Sequence, residues 1–379
     1  MSRKKPNKVR IEFRKKHESR TRDADLTRQF EQTTEGEFDT VGRERLTGKG
    51  NLTRHRTIVT GEDAESIRKD QPIPLDVQDD LVPGIVLRVH GLECIVQDPS
   101  GKNYRCAVRR LLKSVSTSER HVVVAGDKVM FRPEGQEQGM IHRIEPRYGV
   151  LSRTSKNRRH ILVSNVDQLL IVASAAEPEI KPNLVDRFLA TAEQNQIEAV
   201  ICINKCDLID PALLQPIIGA YAQIGYRVLM LSATKGWNID LLRRLVRGRQ
   251  SVVAGQSGVG KSSLLNAIEE GLHLRVQTVS QENQKGRHTT TTAEVFPLSD
   301  GGSIIDTPGI RQFRMWDIVP EEMSSLFRDV RPYANHCRFP NCTHVHETDC
   351  AVKDAVADGR LDVRRYESYC HMLDDQDDD

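Results

Sequence analysis

The chain has 379 residues, of which 38% are hydrophobic and 28% charged, and its formal net charge is only +2. These values are typical of a soluble globular protein of two or three domains. No apolar run approaches the roughly 20 residues of a membrane-spanning helix, so we expect no membrane association. The basic N-terminus precedes no apolar stretch and does not resemble a secretory signal. Eight cysteines without such a signal indicate a reducing cytoplasm, where clustered cysteines bind metal.

Charge is unevenly distributed along the chain. Residues 1–22 hold ten Lys and Arg against two Glu, and residues 374–379 hold five Asp. Such blocks are typical of disordered tails, and a basic arm suits either a polyanionic partner or solubility alone. Residues 1–80 are polar and lack sustained periodicity, so we expect a largely disordered extension with a short helix near 25–32.

Residues 81–147 contain short β-rich runs separated by turn signals, which predict a small closed barrel of the oligonucleotide-binding (OB) type. Small barrels also serve as protein-interaction modules, which is the alternative. Tyr104 and Phe131 either stack on bases or fill the core. The predicted strands cover 84–89, 93–97, 104–108, 128–131 and 139–144. The basic residues that favour nucleic acid are Arg88, Lys102, Arg105, Arg109, Arg110, Lys113 and Arg132.

Residues 148–315 alternate strands with helices, the pattern of a parallel sheet covered by helices. This α/β domain is expected to carry the chemistry, because its strands end in polar motifs. The predicted strands cover 169–173, 198–203, 227–231, 251–254 and 302–305, and the predicted helices cover 184–195, 211–224, 239–247 and 263–268.

A phosphate-binding motif lies between one of these strands and a helix. Its sequence, Gly-Gln-Ser-Gly-Val-Gly-Lys-Ser, fits the pattern G-x-x-x-x-G-K-S. The glycines allow backbone N–H groups to point at phosphate oxygens, with the positive end of the helix behind them. We expect Lys261 to reach the β- and γ-phosphates and the Ser262 hydroxyl to coordinate Mg²⁺. The predicted phosphate-binding residues are Gly255, Gln256, Ser257, Gly258, Val259, Gly260, Lys261, Ser262 and Ser263.

Two further loops indicate that the base is guanine. The Asp207 carboxylate can accept hydrogen bonds from N1 and the 2-amino group of guanine, which adenine does not offer. Asn204 either binds the purine edge or ties loops together, and the Lys205 stem is expected to lie over the ring. A backbone N–H after the next strand would reach the guanine O6. The residues of these loops are Asn204, Lys205, Cys206 and Asp207, followed by Ser232 and Ala233.

The motif Asp-Thr-Pro-Gly at 306–309 follows an apolar strand. Asp306 is expected to hold Mg²⁺ through water, and the N–H of Gly309 to sense the γ-phosphate. Threonines 289–292 suit a switch loop, in which we assign the Mg²⁺ contact to Thr290 beside Thr289. These motifs follow the guanine loops, whereas the usual GTPase order starts with the phosphate loop. A circular permutation can preserve the fold, because domain termini generally lie near each other.

Residues 316–379 are helical in pattern except for a Cys/His cluster. Cys337, Cys342, His344 and Cys350 supply three thiolates and one imidazole, which suits a closed tetrahedral structural zinc site. His346 or His336 could replace His344. Cys94, Cys106, Cys202 and Cys206 are interpreted as ordinary buried thiols.

The permuted motif order, the barrel before it and the cysteine cluster after it closely resemble the ribosome small-subunit-dependent GTPase A family, also called YjeQ. The resemblance covers residues 82–370 and rests on G-Q-S-G-V-G-K-S-S, G-R-H-T-T-T, D-T-P-G and the cysteine pattern. It implies a cytoplasmic, GTP-hydrolysing enzyme that binds the small ribosomal subunit and its rRNA late in assembly. It also implies that the subunit stimulates hydrolysis, that Mg²⁺ accompanies GTP, and that the four cluster residues bind one zinc ion. We expect a monomer.

The catalytic group differs from the one that is usual in GTPases. Many GTPases place a Gln after D-x-x-G to orient the attacking water, but Ile310 stands there in this chain. His288 and Gln312 are the nearby candidates, and the resemblance favours His288. A loop histidine without a catalytic part is the alternative.

Two other functions remain open from the residues alone. One is a nucleotide-dependent RNA-binding switch in which hydrolysis is secondary. The other is an RNA chaperone or translation regulator that acts through the barrel and the basic arm. The sequence thus predicts a multidomain α/β protein: an OB-type barrel, a circularly permuted P-loop GTPase domain and a helical zinc-binding domain.

Overall fold

The computed structural model describes residues 8–12, 55–59, 80–91, 93–109, 112, 122–155, 158–269, 272, 293–306 and 320–377. Strands β1 (Lys8–Glu12) and β2 (His55–Val59) pair antiparallel. They are an exception within a region whose sequence predicts little regular structure. The helix expected at 25–32 lies outside the described residues.

Five strands form the predicted barrel: β3 (Val82–His90), β4 (Glu93–Gln97), β5 (Asn103–Val108), β6 (Lys128–Glu134) and β7 (Gln138–Ile144). Their order is β3–β4–β5–β7–β6, and β6 pairs with β3 to close the ring. Tyr104 and Phe131 are both buried, with ring centroids 5.1 Å apart. Of the two roles open to them, they therefore fill the core.

The hairpin β8 (Leu151–Ser155) and β9 (Arg158–Val163) follows the barrel and was not anticipated. A buried polar network then joins the barrel to the next domain. The Asp127 carboxylate accepts hydrogen bonds from Arg147 Nε at 2.7 Å and Ser164 Oγ at 2.6 Å. Gln250 Nε2 donates to the carbonyl of Ser164 at 2.8 Å. Since Gln250 begins a central strand of the next sheet, the barrel is anchored to that strand.

The second sheet contains β10 (Gln168–Ser174), β11 (Glu198–Asn204), β12 (Arg227–Met230), β13 (Gln250–Ala254), β14 (Glu294–Pro297) and β15 (Ser303–Asp306). Its order is β12–β11–β10–β13–β15–β14, and among these described strands only β14 runs antiparallel. Glu294 also pairs with Arg88 of β3, so the sheet continues into the barrel. The parallel strands all end at one edge, which is where ligands bind in open α/β sheets.

Helices α1 (Pro182–Gln194) and α2 (Gln215–Gln223) cover one face of this sheet, and α3 (Ile239–Val246) and α4 (Lys261–Ile268) cover the other. Alternate residues of β10 serve the two faces. Leu169 packs in the core with Phe188 of α1, whereas Leu170 packs in the core with Leu264 of α4. A strand buried on both faces explains its continuous apolar sequence.

The helix predicted over 211–224 is divided in the structure. A 3₁₀ turn covers Pro211–Leu214, and α2 begins at Gln215. Pro216 lies in the first turn of α2, where its missing N–H costs nothing, but it could not continue an α-helix begun at 211.

The C-terminal domain contains α5 (Pro320–Leu326), α6 (Arg331–Ala334), α7 (Ala351–Ala357) and α8 (Val363–Asp377). Met323, Phe327 and Tyr369 lie in its core. None of the helices in the described ranges combines the length and apolar character needed to cross a bilayer. The predicted fold class is confirmed: a closed barrel, a doubly covered α/β sheet and a helical domain with a cysteine cluster follow one another.

Candidate nucleotide site and metal centre

The phosphate-binding motif forms a loop between β13 and α4, as its sequence predicts. Two of its glycines are required by their surroundings. Gly255 has φ 146°, and a Cβ there would lie 2.1 Å from the carbonyl oxygen of Val172. Gly260 has φ 89°, and a Cβ there would lie 2.3 Å from Asn204 Nδ2. No larger residue fits either position without moving backbone or a buried side chain.

Lys261 begins α4 and folds back over the loop. Its Nζ donates to the carbonyl oxygens of Gly255 at 2.8 Å and Gln256 at 2.6 Å. Its ammonium therefore lies over the same loop whose N–H groups would hold phosphate oxygens. Ser262 and Ser263 follow it in the first turn of α4, and both are half-buried.

Asn204 ties three loops together. It ends β11 and is buried, and its Nδ2 donates to the carbonyl of Val259 in the phosphate loop at 3.0 Å. Its Oδ1 accepts from the N–H of Ala233 at 3.1 Å. Of the two roles proposed for Asn204, the structure therefore has the loop-tying one. The Ala233 N–H, expected to face the guanine O6, donates to Asn204 in this structure.

Local contacts also hold the rest of the guanine loop, which is the segment 204–207. Lys205 adopts a left-handed conformation, φ 61°, and its Nζ donates to the carbonyl of Glu177 at 2.5 Å. Cys206 is a buried thiol, and burial raises its pKa. The Asp207 carboxylate accepts from Thr234 Oγ1 at 3.4 Å. The hydrogen bond from Ser232 is the main cause that lowers the pKa of Asp207, so this acceptor is ionised at neutral pH.

Asp306 ends β15 and lies at the same sheet edge as Asn204, because β11, β10, β13 and β15 are parallel. Across the antiparallel pair with β14, it lies opposite Glu294. His288, Thr289, Thr290 and Gly309 lie outside the described residues, as do Ile310 and Gln312. Their assignments stay predictions.

The C-terminal domain brings Cys337, Cys342, His344 and Cys350 together, with their ligand atoms all within 4.8 Å of one another. The Sγ of Cys337 lies 3.4 Å from His344 Nδ1 and 3.8 Å from the Sγ of Cys350. In a tetrahedral zinc site with Zn–S near 2.3 Å, the ligand atoms are about 3.5–3.8 Å apart. The donor set and its spacing thus fit zinc.

The two alternative histidines, His336 and His346, are exposed and lie outside this cluster. His344 is 2% exposed, and burial lowers its pKa, which favours the neutral imidazole that a metal requires.

Three side chains that sequence reasoning missed hold the cluster in shape. The Glu347 carboxylate accepts from the N–H groups of Thr343 at 2.6 Å and Val345 at 3.2 Å, on either side of His344. Tyr366 and Tyr369 of α8 donate to the carbonyls of His344 at 2.7 Å and Thr343 at 2.9 Å. These contacts fix His344 at φ 65°, where its Nδ1 faces the sulfurs. The presence of Glu347 three residues after His344 is the sequence feature from which this support could have been predicted.

The fold and the two sites define a class: a P-loop GTPase in which the guanine loop precedes the phosphate loop, flanked by a barrel and a helical domain with a Cys/His cluster that fits a metal ion. The sequence profile of the RsgA GTPase family matches residues 144–316. The small ribosomal subunit biogenesis GTPase RsgA of Sodalis glossinidius is 38% identical over 302 residues, covering 77% of this chain and 85% of that protein. The protein of the same name from Chlorobaculum parvum is 37% identical, covering 78% and 98%.

Solved structures agree. YjeQ from Thermotoga maritima matches with a TM-score of 0.65 and 34% identity, covering 78% of this chain and 98% of that one. YloQ, described as a circularly permuted GTPase, matches with a TM-score of 0.62 and 30% identity, covering 79% and 96%. This chain belongs to the RsgA GTPase family. The resemblance stated from its motifs is confirmed.

Proposed function

We propose that this protein is a GTP hydrolase that binds the small ribosomal subunit, acts in its late assembly, and releases GDP and phosphate when the subunit stimulates it. The names of its relatives support the subunit as the partner. The observation that carries the proposal is the position of Asn204, which joins the guanine loop, the Ala233 loop and the phosphate loop at one sheet edge. That edge is where a bound nucleotide would contact all three.

In this proposal the guanine loop selects the base and the phosphate loop binds the phosphates. Asp207 accepts from the guanine edge, Lys205 covers the ring, and the segment Ser232–Ala233 borders it. The N–H groups of the phosphate loop hold the phosphate oxygens, and the Lys261 ammonium turns from the loop carbonyls to the β- and γ-phosphates. Asn204 holds these loops together beside the nucleotide. The proposed contacts also include Cys206, Gly255, Gln256, Ser257, Gly258, Val259, Gly260, Ser262 and Ser263.

Ser262, Asp306 and Thr290 would hold the Mg²⁺ that accompanies GTP, and Thr289, Thr290 and Gly309 would form the switch. When bound, Mg²⁺ neutralises charge on the β- and γ-phosphate oxygens. Lys261 stabilises the charge that develops on the phosphate oxygens during transfer. Ile310 cannot orient the attacking water because its side chain has no polar atom. Of the two nearby candidates, His288 and Gln312, the family resemblance favours His288 for this role.

Cys337, Cys342, His344 and Cys350 would hold one structural zinc ion, because four protein ligands leave no open position for catalysis. The barrel and the basic N-terminal arm would contact rRNA. The GTP-bound form would favour the subunit-bound state, and hydrolysis would release it. We further propose that the protein is monomeric and cytoplasmic.

The test is GTP turnover by the purified protein alone, with small subunits, and with large subunits as the control. We expect stimulation by small subunits only. Lys261→Ala and Ser262→Ala should abolish turnover, because each removes a direct contact to the phosphates or their metal ion. Normal turnover in both variants would refute the site assignment, and a rate indifferent to small subunits would refute the partner.

A nucleotide-dependent RNA-binding switch with secondary hydrolysis is the second candidate, favoured by Ile310 in place of Gln. His288→Ala separates the two functions. If this variant binds GTP and subunits but does not turn over, and assembly fails in cells that carry it, hydrolysis is essential. If assembly proceeds, the switch function is sufficient.

A further inference from the structure

The barrel meets the GTPase sheet beside the carboxylate assigned above to Mg²⁺. Arg88 of β3 lies opposite Glu294, the first residue of β14, and Glu294 lies opposite Asp306, the last residue of β15. The three residues form one row across three neighbouring strands. Residues directly opposite each other in antiparallel pairs share a face of the sheet, with Cβ atoms about 4.5–5.5 Å apart. Charge on Arg88 and Glu294 is therefore close enough to act on Asp306.

Arg88 and Glu294 form an ion pair that can change partners. An Arg88 guanidinium nitrogen lies 3.4 Å from Glu294 Oε1, and the side chains are 55% and 34% exposed. Exposed pairs of this kind are weak, because water solvates both charges when they separate. A phosphate oxygen is a better partner for guanidinium, since it permits two parallel charge-assisted hydrogen bonds. Arg88 also belongs to the basic residues of the barrel, where RNA phosphates would arrive.

We propose that Arg88 is a positioning residue that couples RNA binding on the barrel to Mg²⁺ and GTP binding. An RNA phosphate takes Arg88 away from Glu294, and the uncompensated charge of Glu294 beside Asp306 strengthens Mg²⁺ binding. This inference rests on the proposed function, because it takes Asp306 as a Mg²⁺ carboxylate and RNA as the ligand of the barrel. By linkage, bound Mg²⁺ and GTP raise the affinity of the barrel for RNA by the same factor.

The first test needs no RNA. The Mg²⁺ concentration that gives half-maximal binding of a fluorescent, non-hydrolysable GTP analogue is measured for the full chain. For Arg88→Gln we expect a decrease of about two- to fivefold, from Coulomb's law over roughly 10 Å with screening. For Glu294→Gln we expect an increase of similar size. The double variant should return close to the wild-type value, because the two charges offset each other.

Arg143→Gln is the matched control. Arg143 also lies in the barrel, on β7, and pairs with Glu145 at 2.6 Å with side chains 43% and 31% exposed. The Arg143→Gln substitution removes one positive charge, as Arg88→Gln does, but from an ion pair that includes no residue of β14. We expect no change in the Mg²⁺ dependence of this variant.

The second test adds purified small ribosomal subunits. In the wild type they should lower the half-maximal Mg²⁺ concentration by about the factor that Arg88→Gln produces alone. In Arg88→Gln they should lower it little further, because the positive charge is already gone. A change in Arg88→Gln that equals that of Arg143→Gln, or an undiminished effect of subunits on Arg88→Gln, would overturn the proposal.

The outcome separates this inference from the proposed function. If the wild type binds no GTP analogue, the nucleotide site is wrong. Subunits could have no effect on the wild type while Arg88→Gln still shifts the Mg²⁺ dependence. In that case Arg88 does act on Asp306 through charge, but the subunit is not the partner, and the coupling proposal is wrong.

Discussion

Arg365 and Arg88 both bridge the GTPase domain to a neighbouring domain, one from the C-terminal helix α8 and the other from the barrel strand β3. The Arg365 side chain is 3% exposed and contacts Asp186 of α1 at 2.5 Å and Asp329 at 2.9 Å. The Arg88 side chain is 55% exposed and reaches Glu294 at 3.4 Å. Breaking a buried pair leaves unpaired charges without water, whereas an exposed pair gives way to solvent. The C-terminal domain is therefore held to the GTPase domain by a buried ion pair, whereas the exposed Arg88 pair is weak enough to separate.

Arg365→Met tests the buried contact between the C-terminal domain and the GTPase domain, and should have the largest effect on stability. It leaves the Asp186 and Asp329 carboxylates buried without their partner, so we expect a loss of about 3–5 kcal/mol in local stability. Hydrogen exchange of the α8 amides measures this loss. The control is Arg364→Met on the same helix. Arg364 is 44% exposed and pairs with Asp362, so its loss should cost about 1 kcal/mol or less. Equal effects of the two variants would contradict the comparison.

The cost of Arg365→Met should also depend on pH. Burial raises the pKa of the Asp186 carboxyl, and Arg365 is the main influence that lowers it, so removing Arg365 raises the pKa further. A carboxyl whose pKa is higher in the folded protein stabilises the fold below its unfolded pKa and loses this contribution as pH rises through the folded pKa. The stability lost on Arg365→Met should therefore be largest near neutral pH and decrease toward pH 4. Exchange measured at several pH values checks this, and a constant deficit would exclude Asp186 as its cause.

Glu347→Gln should have an intermediate effect, which we expect on the metal affinity of the Cys/His cluster in the same C-terminal domain. The carboxylate accepts from the N–H groups on both sides of His344, and the amide would place a donor against one of them. Losing such an outer support typically costs ten- to a hundredfold in metal affinity. Competition with a zinc-binding dye measures the affinity. Asp349→Asn is the control, because Asp349 pairs with exposed Arg338 at 2.7 Å, and it should leave the affinity nearly unchanged.

Arg88→Met sharpens the other side of the comparison and should have the smallest effect on stability. An exposed ion pair contributes about 0–1 kcal/mol, so hydrogen exchange in β3 and β14 should hardly change. A loss comparable to that of Arg365→Met would show that the barrel is held to the GTPase domain as firmly as the C-terminal domain is, and would argue against exchange of Arg88 between partners.

The sequence predicted the elements whose signals are local. The barrel strands, the strand before the phosphate loop and the helix after it differ from prediction by a few residues at most, because alternation, turns and glycine spacing mark them. β14 was missed because four residues ending at Pro297 within a polar segment carry no clear period. The hairpin β8–β9 was missed as well. The residue boundaries of the domains stay predictions.

The site was predictable where a motif carries its own chemistry, and less so where distant residues meet. The Cys/His cluster appears in the structure as its spacing predicts. Nothing in the sequence indicates that Arg365 meets Asp186, 179 positions away, because both look like ordinary surface charges. The role of Asn204 could be narrowed only to two alternatives. The roles of His288 and Thr290 stay predictions.

The permuted strand order has a consequence for the synthesis of the protein. Among the strands of the GTPase sheet, β10, β11 and β12 leave the ribosome first, yet β10 completes its pairing only when β13 arrives, after residue 250. At a synthesis rate of about 5–20 residues per second, the edge of β10 stays unpaired for roughly 4–15 s until β13 is made. Unpaired strand edges invite association with other chains during such a delay. The phosphate loop and Asp306 emerge later still, so this chain acquires the ability to hold a nucleotide only after most of it has been made.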